Sequence, residues 1–101
     1  MTTMAKLTTV FWRDIPAQVI AKEKRENAKA VLSERFAEAI DKAAMRAKMA
    51  GTDAYLEEWR RVVTNCSKDL QAVVDEASAS LEKAYDDERL DQLVRKGGLE
   101  A

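Results

Sequence analysis

The sequence contains no histidine, which excludes Ser-His-Asp and Cys-His catalysis, histidine-ligated metal centres and an imidazole base at neutral pH. A single cysteine, Cys66, rules out an internal disulfide and leaves any zinc site short of thiolates. One proline and three glycines leave little material for flexible loops. The only glycine pair, Gly97 and Gly98, sits at the tail, where it cannot free backbone amides ahead of a helix to cradle a phosphate. Charges interrupt every hydrophobic segment, so no run approaches the roughly 20 apolar residues of a membrane span. The opening MTTMAKLTTV lacks the apolar core of a secretory signal. These absences lead to the expectation of a cytoplasmic protein with no membrane partner, no metal, no cofactor and no catalytic residue.

What is present is a chain of 101 residues, 47% hydrophobic, enough for one domain over 1–101 with an ordered core at about 5–95. A chain this long buries roughly 60–65% of the surface it exposes when unfolded. Seventeen basic and eighteen acidic residues give a net charge of -1, so no global basic field marks nucleic acid as a partner. The charge is uneven along the chain. Residues 1–30 carry a net +3, residues 31–66 are neutral, and residues 67–101 carry a net -4. Such asymmetry steers a partner or draws the two ends of the fold together.

Alternation from Lys6 to Arg13 places Leu7, Thr9 and Phe11 on one face and Thr8, Val10 and Trp12 on the other, the signature of a strand. With large apolar groups on both faces, each side is covered or one awaits a partner. Pro16 breaks the ladder, so RDIP reads as a turn or bulge before AQVIAK returns as the second arm of a β-hairpin. The charged run KEKRENAK, residues 22–29, reads as a solvated connector. Ser33 as N-cap, then Phe36, Ile40, Ala43, Ala44 and Ala47 at helical spacing, predict a helix that stops near Gly51. Residues 53–63 fit a helix or a strand. A strand near 54–62, with Tyr55 and Trp59 on one face, is preferred because it completes a small sheet. Ser67 then caps a second long helix over Leu70, Val73, Val74, Ala77, Leu81 and Tyr85. A bend near Asp86 leads to a short helix carrying Leu90, Leu93 and Val94, and Gly97 and Gly98 end the ordered chain. The fold class is therefore α+β: a small antiparallel sheet against two main helices, with a short C-terminal helix.

The acidic cluster Asp86, Asp87, Glu88 and Asp91 lacks the spaced loop of a calcium site and reads as a solvated helix junction. Cys66, just before a predicted helix, has no neighbouring base to make it a reactive thiol. The constellation with most chemical content pairs Trp12, Arg13 and Asp14 at the hairpin corner with Trp59, Arg60 and Arg61 on the later element. Tryptophan beside arginine supplies area, stacking and forked hydrogen bonding, the combination concentrated at protein interfaces. The same residues would also hold an anionic ligand, or fill the core while Arg13 pairs with Asp14 or a helix carboxylate.

The runs VFWRDIPAQVI, ERFAEAIDKAAMRA and TDAYLEEWRR resemble the bacterial domain family described as "virulence factor", with similarity over most of residues 5–95. The family name describes a phenotype, and no active-site residue transfers from it. Its members occur as short free-standing proteins and as tails on larger ones, which implies a module that works beside other domains. The resemblance also implies a link to folate and corrinoid methyl-transfer enzymes. The expected function is a small noncatalytic interaction subunit or adaptor on a larger protein, with a homo-oligomer also compatible. The alternative is an accessory or ligand-binding subunit of a one-carbon enzyme system.

Overall fold

The computed structural model describes residues 5–100; the start of the stretch read for a secretory signal, residues 1–4, lies outside them. Eight elements follow in order: β1 (Ala5–Trp12), β2 (Ile15–Glu23), β3 (Glu26–Val31), α1 (Glu34–Arg46), α2 (Asp53–Glu57), β4 (Trp59–Cys66), α3 (Leu70–Ala84) and α4 (Asp87–Arg95). The strands form one antiparallel sheet in the order β3-β2-β1-β4, and the fold is α+β as the sequence predicts.

The β1–β2 hairpin closes at Trp12 opposite Ile15, with Arg13 taking φ 52° in the turn. Val10 faces Gln18 but Phe11 faces Pro16, so Ala17 is the extra residue of a bulge. Pro16 is tolerated because β3 extends only to Val31, opposite Gln18, and asks for no N–H beyond it.

Four local expectations are corrected. Residues 22–29 are not a connector: β2 runs to Glu23, turns at Lys24 (φ 52°) and returns as β3. Residues 53–63 are not one strand. Thr52 caps the short helix α2 by accepting from the Tyr55 N–H, and the third predicted strand starts only at Trp59. Gly97 and Gly98 do not end the ordered chain but are buried against the hairpin corner. The cap of α3 is Asp69 rather than Ser67, and Ser33 occupies the N-cap position of α1 without making a side-chain cap bond.

Two apolar clusters hold the elements together. Trp12 and Ile15, at the hairpin end of the sheet, pack with Phe36 and Ile40 of α1 and Leu90 and Leu93 of α4. The alanines at 39, 43 and 44 let α1 and α4 approach closely. Farther along the sheet, Ala5, Val19 and Ala21 share one face and meet Leu70 and Val74 of α3.

The helices also cap each other. Glu82 of α3 accepts from the Ser33 N–H (2.7 Å) and hydroxyl (2.8 Å), standing in for the missing cap of α1. In return, Arg35 of α1 donates to the Glu82 carbonyl (2.6 Å) and the Tyr85 carbonyl at the end of α3. Burial opposes ionisation of Glu82, but the Ser33 bonds and the Arg35 guanidinium outweigh it and hold the carboxyl below its ordinary value. Burial pushes the Tyr85 hydroxyl up.

Candidate interaction site

The face of the sheet opposite α3 can be read as rows from the strand register. Asn27, Lys22, Lys6 and Asn65 form one row. Lys29, Ile20, Thr8 and Val63 form the next, and Val31, Gln18, Val10 and Arg61 the third. Val31 is 70% exposed and Val63 57%, so no helix covers this face beyond the corner end. Among the described residues, these three rows carry four cationic side chains and no carboxylate. Lys6 and Lys22 stand directly opposite each other, an arrangement that costs stability, while Lys6 also donates to the Asn65 side chain.

Where the third row meets α1 and α2, a groove of about 280 Å³ opens, its walls including Val10, Gln18, Val31, Ile40, Tyr55 and Trp59. A second recess of about 310 Å³ lies beside it among Val10, Gln18, Trp59, Arg60 and Arg61. Both are continuous with β4, a strand whose residues Trp59 to Asn65 are all exposed.

The six residues singled out in the sequence part company here. Trp12 is fully buried, stacked on Tyr55 at 5.6 Å between ring centroids, and its Nε1–H donates to the Tyr55 carbonyl (2.9 Å). The Arg13 side chain is 11% exposed. It donates to the Gly97 carbonyl (3.0 Å), Met49 Sδ (3.1 Å) and Glu58 Oε1 (3.3 Å), so its ion-pair partner is Glu58 rather than Asp14. Asp14 instead accepts from Arg60 Nη2 (3.2 Å) and the Glu100 N–H (2.8 Å). Arg60 also donates to the Arg13 carbonyl (2.9 Å) and lies over the Phe11 ring. Trp59, opposite Trp12 in the ladder and edge-on to Tyr55, stays 36% exposed, and Arg61 projects from the uncovered face. The structure thus brings Trp59, Arg60 and Arg61 to a surface recess and commits Trp12 and Arg13 to internal contacts.

Sequence reasoning missed the groove residues Gln18, Val31 and Ile40, and the lysines of the open face. The available signal was the alternation of β1, whose second apolar face has no helix over it away from the corner.

Among the described residues, no three His, Cys, Asp or Glu side chains converge as a metal ion requires. No described helix is long and apolar enough to cross a membrane. No curated protein and no solved structure matches the chain. The model of one family, described as "Virulence factor", matches residues 10–94, most of the chain, and the protein belongs to that family.

Proposed function

We propose that the protein is a small noncatalytic module that docks onto a larger protein, in the cytoplasm, through the uncovered sheet face and its groove. The observation that carries this reading is an apolar groove opening onto a sheet face with Val31 and Val63 largely exposed. Valines standing in water on an open sheet face are more stable covered, and a rim of lysine and arginine gives the covering partner an orientation. The test is capture of the native partner from the source cell, followed by calorimetric titration. Val31→Glu, at an exposed position, should leave the circular dichroism spectrum unchanged and weaken the complex at least tenfold. Unchanged affinity would overturn the reading.

A second reading, an accessory or ligand-binding subunit of a one-carbon enzyme system, draws on the recess where Trp59 adjoins Arg60 and Arg61. An indole beside the Arg61 guanidinium suits a planar anionic carrier, Arg60 being held over the Phe11 ring and paired with Asp14. Saturable binding of a folate at Trp59, read by quenching of its fluorescence, would favour it.

A further inference from the structure

We infer that the outer edge of β4 accepts an extended acidic segment of the partner protein as a fifth strand. This rests on the docking reading and adds its geometry and chemistry. The Arg13 N–H donates to the Glu58 carbonyl, which fixes the phase of the antiparallel ladder. Arg60, Val62 and Thr64 therefore turn their main-chain groups toward β1, while Trp59, Arg61, Val63 and Asn65 turn theirs outward. β4 is the last strand of the sheet, eight residues long, with no proline, glycine or bulge. An open edge of that kind is a template for strand addition.

Charge selects the occupant. A second copy paired along β4 would gather four arginines on one seam, of which only the two Arg60 side chains are answered, each by its own Asp14. An acidic strand would instead meet Arg61 on one face and Arg60 on the other, and its field would relieve the opposed Lys6 and Lys22. Val62 and Val63, 40% and 57% exposed, ask for apolar residues beside the acids. Run antiparallel to β4, the matching segment reads apolar-apolar-acid-acid. Nucleic acid would satisfy the charge but not the row of outward amides and carbonyls.

The probe is a blocked peptide with two valines followed by two glutamates, added to the full isotope-labelled chain while amide hydrogen exchange is followed. Exchange at Arg61, Val63 and Asn65 should slow at least tenfold, and the peptide with lysines for glutamates should not bind. Val63→Pro removes one outward donor without touching the β1 ladder and should weaken the peptide at least tenfold. Should that variant unfold, Arg61→Glu serves instead and should exchange preference toward the lysine peptide. Unaltered exchange along β4, equal binding of both peptides, or tighter binding of a single-stranded oligonucleotide without protection of β4 would overturn the inference. Native-partner binding that is lost with Val31→Glu but kept with Val63→Pro keeps the docking reading and ends strand addition. Indifference to both variants ends both.

Discussion

Trp12 and Trp59 face each other across the β1–β4 ladder, each followed by arginine, yet one is sealed and the other stands over a third exposed. The difference comes from what lies above each ring. Tyr55 stacks on Trp12, and Gly98 comes so close that a Cβ there would sit 2.8 Å from the indole. Trp59 meets Tyr55 edge-on and opens onto the groove. Around Trp12, arginine is consumed by internal acceptors; around Trp59, Arg61 is left on the surface. A tryptophan-arginine pair is therefore open to outside contact only where the fold leaves it uncovered, and the sealed corner anchors the end of β4 through the Arg13–Glu58 contacts.

The sharpest way to break this contrast is to excavate the sealed end. Phe36→Ala, at a side chain only 1% exposed, should destabilise the protein by about 3–5 kcal/mol in denaturant unfolding. Arg13→Met should cost about 2–3 kcal/mol, because hydrogen bonds from a charged donor are lost at a largely buried position. A loss of partner affinity with unaltered stability would instead place Arg13 with Trp59. Gly98→Ala, with φ 95° and the indole in the way, should cost about 1–3 kcal/mol by thermal unfolding. At the bare end, Val63→Thr should shift stability by less than about 0.5 kcal/mol, since the side chain is mostly in water already.

A pH measurement separates the same two ends. Glu82 titrates below its ordinary value of 4.5, so its ionised form contributes stability that is present above that pH and is lost as the pH falls through the lower, folded value. Glu82→Gln should therefore flatten the acid limb of a stability-against-pH profile. The same profile for Arg61→Gln should keep the wild-type shape.

The elements with strong periodicity are legible in the sequence: the first hairpin and its break at Pro16, α1 with Phe36 and its alanine stripe, α3, and the phase break at Asp86 that starts α4. The second hairpin is not. Its turn is built on Lys24 at φ 52° rather than on glycine or asparagine, and β3 is an edge strand alternating Ala28 and Ala30 with charged or amide side chains. Nothing in KEKRENAK reads as buried because only alanines touch α3. Residues 53–63 misled for a different reason. The spacing of Tyr55 and Trp59 suits either period, and here a helix carries the first while a strand carries the second. For the site, Trp59, Arg60 and Arg61 were visible as residue types. Their separation from Trp12 was not, because it depends on Gly98, distant in sequence.

That distance has a kinetic consequence. The Asp14 N–H donates to the Gly98 carbonyl, and the Arg13 side chain reaches Gly97 across a sequence separation of 84. Contacts of such span form late, because nearly the whole chain must be ordered before the loop they close returns any free energy. Until Gly98 is in place, the Trp12 indole keeps Tyr55 on one side but lacks the backbone that closes over it. Removing Gly97 and Gly98 would keep every described strand and helix in the sequence, yet take from the Trp12 indole one of the two groups that cover it, Tyr55 being the other.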